Sequence, residues 1–354
     1  MSLSIGIVGL PNVGKSTLFN ALTKNKAEAS NYPFCTIDPN VGVVAVPDER
    51  LNKLAAISKP KKIIPTIIEF VDIAGLVKGA HKGEGLGNKF LSHIRECDAI
   101  CEVVREFKNN NIVHVDGEID PKRDKENINL ELILADLAVI EKRSDKISKE
   151  AKSGDKNAIK LNNLLIKLKS WLEEGKDARS FLLTEEEKKE LKNFNLLTLK
   201  PIIYVLNSGT ENNNADINED ENKIININAK LEEEIADLPA EEQKKYIEEL
   251  GLETSGLDKL IKASYKLLGL ITFFTTGSDE TRAWTVKTGA KAPAAAGVIH
   301  TDFAKGFIRA EIINWQDFIN AGGEVPAKEK GLIRTEGKEY IMQDGDVCHF
   351  LFNT

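Results

Sequence analysis

Paired cysteines, long apolar runs and excess positive charge are what this sequence lacks. Its four cysteines (Cys35, Cys97, Cys101 and Cys348) show no C-x-x-C spacing and are too few for a disulfide framework in 354 residues. A reducing, cytoplasmic setting is expected. No uncharged stretch approaches the roughly 20 residues of a membrane span, so no membrane partner is expected. The opening M-S-L-S-I-G-I-V-G-L is apolar but has no basic leader and soon meets Pro11 and Lys15, so it reads as a buried strand and not as a signal peptide. A net charge of −7 argues against a surface coated for nucleic acid. No solenoid repeat is present.

What is present is an ordered set of phosphate-binding motifs. G-L-P-N-V-G-K-S-T (9–17) matches G-x-x-x-x-G-K-[ST] in full, between strand-like I-G-I-V-G-L (5–10) and helical S-T-L-F-N-A-L-T-K (16–24). The glycines let backbone N–H groups of a loop through Asn12, Val13, Gly14, Lys15, Ser16 and Thr17 turn inward on phosphate oxygens. Lys15 then reaches the β- and γ-phosphates, and the Ser16 hydroxyl ligates Mg²⁺. F-V-D-I-A-G (70–75) closes an apolar strand with D-x-x-G, so Asp72 is expected to hold the metal through its water shell and the Gly75 N–H to sense the γ-phosphate. Between the two motifs, Y-P-F-C-T-I-D-P-N (32–40) offers Thr36 to complete the Mg²⁺ shell, with Cys35 beside it. Their order predicts a switch-type P-loop NTPase.

One motif is broken. The strand P-I-I-Y-V-L (201–206) runs into Asn207 as if to write N-K-x-D, whose Asp accepts from guanine N1–H and its exocyclic amine. Instead Ser208, Gly209 and Thr210 precede Glu211. With that acceptor missing or displaced, guanine is read poorly, and a site able to bond the adenine N6 amine favours ATP. A GTP site, with Glu211 bulging back into the acceptor's place, is the alternative.

Short strand-like runs alternate with helical segments over the first ~125 residues, which predicts an α/β fold with a parallel sheet. From Asn127 the period changes. Ile133, Leu137, Ile140, Ser144, Ile147 and Ala151 alternate spacings of four and three, as do Ala158, Leu161, Leu165, Leu168 and Leu172 after S-G-D (153–155). This predicts an antiparallel helical hairpin, with Gly175 as its stop. Between Lys142 and Lys169 stand nine Lys/Arg against three Asp/Glu, a basic island in an acidic chain. It is either a docking site for something anionic or a solvated Lys-rich face. The sheet pattern resumes at 200–206 and 223–228. From Ile271 a small α+β segment follows, with a β-hairpin expected over 339–352 around Asp344-Gly345.

The P-loop, N-Y-P-F-C-T-I-D-P-N, D-I-A-G-L-V-K-G-A-H-K-G-E-G-L-G-N-K-F and H-T-D-F-A-K-G-F-I-R-A-E closely resemble the Obg-like ATPases of the YchF type over essentially the whole chain. The resemblance implies a GTPase-like P-loop NTPase domain (1–126 and 199–271), an inserted helical hairpin or coiled coil (127–198) and a C-terminal α+β, ubiquitin-like TGS domain (272–354). It also implies ATP preferred over GTP, slow hydrolysis and association with ribosomes, the expected contact being large-subunit rRNA through the basic hairpin. In the family N-x-x-E replaces N-K-x-D; here one residue is inserted, so Asn207 and Ser208 carry over better than Glu211. N-A-K (228–230) stands where the family has S-A-K.

After D-I-A-G, Leu76 stands where Ras-like switches keep a water-orienting Gln. Two substitutes are expected to be tested by the fold. Asn12 could help ligate a K⁺ ion, or could serve loop geometry alone. A histidine could position water, with His114 the first choice over His81 and His93, or it could be structural. A nucleotide-gated adaptor with incidental hydrolysis is the non-enzymatic alternative.

Overall fold

The opening apolar run becomes β1 (Ser4–Val8) in the interior of a six-stranded sheet in this computed structural model, which describes residues 3–24, 38–75, 86–209, 217 and 223–353. The chain continues through α1 (Lys15–Lys24), β2 (Val41–Ala45), α2 (Glu49–Ser58), β3 (Lys62–Ile64), β4 (Ile67–Asp72), α3 (Leu86–Glu96) and β5 (Ala99–Arg105). With β6 (Ile202–Asn207) and β7 (Ile224–Ile227) the sheet reads β2-β4-β1-β5-β6-β7. All its neighbours are parallel except β2–β4. Every residue of β5 and β6 is buried, as central parallel strands covered on both faces require. Cys97 and Cys101 belong to this core.

The hairpin is α4 (Pro121–Lys152) and α5 (Lys156–Glu173). α4 starts ahead of Asn127 because Asp120 caps it, accepting from the Arg123 N–H, and Pro121 occupies the first turn. Its first turns pack Ile128, Leu132 and Ala135 into the sheet core, while Ile133 and Ile140 meet Leu165, Leu168 and Leu172 of α5 in a separate core. Asp155 caps α5, and Gly154 turns the chain at φ 93°. α6 (Glu185–Leu191), begun by a Thr184/Glu187 capping box, leads back to the sheet. At the hairpin base the fully buried Asp136 carboxylate accepts from the Leu197 N–H (2.8 Å), the Thr198 N–H (2.8 Å) and the Thr198 hydroxyl (2.6 Å). One side chain thus clamps the turn of chain that leads back into β6.

After β7 come α7 (Ala229–Ala236), α8 (Ala240–Glu249) and α9 (Gly256–Leu267). The second sheet uses β8 (Leu270–Thr276), β9 (Glu280–Lys287), α10 (Ala292–Ile299), α11 (Thr301–Lys305), β10 (Phe307–Asn314), α12 (Trp315–Ala321), α13 (Glu324–Glu329), β11 (Arg334–Glu336) and β12 (Asp346–Phe352). Its order is β11-β10-β12-β8-β9-β3, so the edge strand comes from the N-terminal half of the chain. β3 pairs with β9 in parallel through Lys62–Ile64, and Leu51 and Leu54 of α2 enter the core beneath Phe274, Ile313 and Phe318. The hairpin expected over 339–352 does not form. β12 pairs with β10 instead, while the Met342 N–H donates to the Ala290 carbonyl and the Ala292 N–H to that of Tyr340. The Asp344-Gly345 turn is held elsewhere: Asp344 accepts from the Thr272 N–H and pairs with Arg50 at 2.7 Å. Among the described residues no helix is long and apolar enough to cross a membrane.

Candidate functional site

The C-terminal ends of β1, β4 and β6 converge on the loop before α1. Asn12 takes a left-handed conformation (φ 63°), as does Gly14 (φ 98°). A Cβ on Gly14 would stand 2.2 Å from the Asn207 side-chain nitrogen, so only glycine fits this close approach. Lys15 is buried, and its ammonium donates to the Leu10 carbonyl at 2.8 Å. Burial pushes its pKa down to about 8, opposed by the nearby Asp72 carboxylate. A lysine in that state is poised to gain from an anion.

Ser16 and Asp72 lie far apart in sequence, yet the Ser16 hydroxyl donates to the Asp72 carboxylate at 3.1 Å. Gly75 passes over the same loop: a Cβ there would lie 3.1 Å from Lys15 Nζ and 3.3 Å from the Pro11 nitrogen. Two adjacent hard oxygen donors beside a phosphate loop fit Mg²⁺, which keeps waters and phosphate oxygens as its remaining ligands. Among the described residues no group of three or more His, Cys, Asp or Glu side chains could cage an ion alone, and a P-loop magnesium needs none. Thr36, Cys35, Leu76, His81 and Glu211 lie outside the described residues.

Asn207 ties the site together. Its amide donates to the Val13 carbonyl at 2.8 Å, and its carbonyl accepts from the Ala229 N–H at 3.0 Å. Both ends are thereby committed to the scaffold. Ser208 is buried and donates its N–H to the Ile227 carbonyl (2.9 Å). Asn228 explains N-A-K: its side chain caps α7 by accepting from the Leu231 N–H, the job a serine does equally well. Thr17 sits in the first turn of α1, half-buried.

A loop missed in the sequence borders the site. The buried Arg105 donates to the Phe107, Asn109 and Ile112 carbonyls and lies over the Phe107 ring at 4.4 Å, gathering residues 107–112. This brings the Val113 carbonyl to the Asn12 amide at 3.2 Å. His114 follows, buried, with Nε2 2.8 Å from the Asp124 carboxylate and Nδ1 accepting from the Asp116 N–H at 3.2 Å. Both ring nitrogens are occupied, and His114 anchors the loop to α4. His93 is exposed on α3. The signal for Arg105 was weak: a lone charge ending a run of buried residues.

Residues 4–136 match the MMR_HSR1 family, described as "50S ribosome-binding GTPase", and residues 270–353 match YchF-GTPase_C, described as "Protein of unknown function (DUF933)". The chain is 57% identical to the ribosome-binding ATPase YchF of Bacillus subtilis and 53% identical to that of Escherichia coli O157:H7, with 100% of both chains covered in each case. The solved structure of the Schizosaccharomyces pombe YchF GTPase superposes with a TM-score of 0.88 at 38% identity, covering 99% of this chain and 98% of that one.

Proposed function

The chain belongs to the YchF family, and from that premise we propose that it is a ribosome-associated, cytoplasmic NTPase that binds ATP in preference to GTP and hydrolyses it slowly. The observation that carries the reading is the convergence of Lys15, Ser16, Asp72 and Gly75 on one loop. Lys15 is the group to neutralise β- and γ-phosphate charge, and the desolvation that lowers its pKa strengthens that contact. Ser16 and Asp72, with Thr36, would hold Mg²⁺, which when bound would offset charge developing on the transferred phosphoryl group. The Gly75 N–H reports the γ-phosphate. Asn12 is exposed and its side-chain oxygen is suited to K⁺, once its amide leaves Val113. A water-positioning role for His114 likewise requires release from Asp124.

The names of the relatives differ over the nucleotide, ATPase in one and GTPase in another. Chemistry favours adenine. Asn207 is consumed by the scaffold, and the carbonyl of Ser208 would accept from the adenine N6 amine, whereas guanine carries an acceptor there. Titration with fluorescent ATP and GTP analogues and unlabelled competitors, with Mg²⁺, tests this; tighter GTP binding overturns it. Single turnover of radiolabelled ATP tests hydrolysis, and its absence leaves the adaptor reading.

The second face of the proposal is the hairpin tip, where Lys149, Lys152 and Lys156 flank the Gly154 turn at the end farthest from the sheet core. It is the proposed contact to large-subunit rRNA, with the C-terminal segment read as the TGS domain. Reversing these three charges should reduce ribosome co-sedimentation; unchanged sedimentation would move the contact elsewhere.

A further inference from the structure

The C-terminal sheet is split. β12 pairs with β10 along its length, from Asp346 to Phe352. Toward β8 it keeps one registered pair, Val347 with Phe274, and from Cys348 onward that edge has no strand partner among the described residues. β8 is likewise paired on its other side, Thr275 with Arg282 and Thr276 with Thr281 of β9. A cavity of about 440 Å³ fills the notch between the two strands.

The notch opens to both faces of the sheet. On the α10 side it is walled by Trp284, Phe303 and Phe350, which pack on one core cluster. On the α12 side it is walled by Ile313, Phe318 and Ile333, which belong to the other. Each face carries acid. Glu280 shares the face of Trp284 by strand alternation, and Glu311 shares that of Ile313, with Glu324 beside it at the start of α13. Glu280 is ion-paired with Arg282 at 3.8 Å, which itself lies over the Trp284 ring at 4.1 Å, and Glu311 with Lys328 at 3.5 Å; neither cation belongs to the lining, so a basic ligand exchanges with them for these acids.

A ligand for this site needs a backbone in the plane of the sheet and side chains projecting alternately to two aromatic-walled, acidic faces. An extended peptide has that form. We propose that the β8–β12 notch is a binding site for an extended, basic protein segment that adds a strand to the edge of β12, its alternate side chains placing Lys or Arg against Glu280 on one face and Glu311 and Glu324 on the other. The site needs nothing from the nucleotide and is independent of the function proposed above.

The test uses the full chain and a fluorescein-labelled, end-capped Lys-Val-Lys-Val-Lys-Val peptide, read by anisotropy. Saturable binding is expected. Methylating alternate backbone nitrogens of the peptide, which keeps its charge but removes strand pairing, should weaken it at least about tenfold. The Glu280→Gln/Glu311→Gln protein, altered only at partly exposed acids, should weaken it by a similar factor. Absence of saturable binding overturns the proposal. So does equal binding of the N-methylated peptide, which would mean attraction to bulk negative charge. Displacement by spermidine at matched charge would make the notch an amine site and overturn it too.

Discussion

Two buried charges, Lys15 at the phosphate loop and Asp136 at the hairpin base, differ in how completely the protein serves them. Asp136 receives three donors, two of them backbone N–H groups, which oppose the upward push of burial on its pKa. Among the described residues Lys15 has a single carbonyl partner for its three donors, and burial has pushed its pKa down to about 8. A buried carboxylate met by several donors of its own fold marks scaffold. An undersupplied one beside a loop of inward N–H groups marks a place kept for a ligand.

The comparison breaks most visibly at Asp136. Replacing it with Ala strands two buried N–H groups and a hydroxyl, and should cost about 4 kcal/mol in urea unfolding. A loss below about 1 kcal/mol would mean the clamp is dispensable. Lys15→Met should act oppositely, abolishing turnover while leaving the nucleotide-free protein as stable as wild type or more so, by roughly 2 kcal/mol at pH 7. The sign follows from the lowered pKa. Below pH 8 the folded state carries the full burden of a buried ammonium. As pH rises from 8 toward 10.5 the folded state releases that proton before the unfolded one, and stability returns. The gap between variant and wild type should therefore close across that window.

The same shift predicts that ATP binding near pH 9 takes up a proton, because phosphate raises the Lys15 pKa again. Calorimetry in buffers of different ionisation heat should detect it, with affinity falling above pH 8 by up to about tenfold per unit. Lys15→Met should show no such uptake. The smallest effect sharpens the scaffold side: Asn228→Ala should cost about 1 kcal/mol through the lost cap of α7, and Asn228→Ser almost nothing.

The sequence made the phosphate site legible because its chemistry is local. Lys15 and Ser16 are neighbours, and Asp72 and Gly75 belong to one short motif, so spacing alone carried them. Asn207 was legible as a broken motif, but its service to both Val13 and Ala229 was not. Asp136 left no trace, since its partners lie 61 and 62 residues away. The seat of His114 was equally hidden: a lone histidine in a loop says nothing about an aspartate in the following helix. The hairpin expected over 339–352 failed for a related reason. The turn signal at Asp344-Gly345 was genuine, but Asp344 is spent on Arg50 and Thr272, and β12 finds its partner across the domain in β10.

Strand β3 has a consequence for how this chain can be divided. A gene fragment beginning at Leu270 would encode the whole region matched by the C-terminal family, yet its product would lack the strand beside β9 and the two leucines of α2 that cover Phe274 and Phe318. The bare strand edge would invite self-association, and the exposed apolar face would add to it. Residues 49–64 must therefore travel with the C-terminal region in any chimera, although more than 200 residues of chain separate them. They also lie on the path from β2 to β4, whose last residue is Asp72. The unit that can be transplanted is not the unit that the linear order of the sequence suggests.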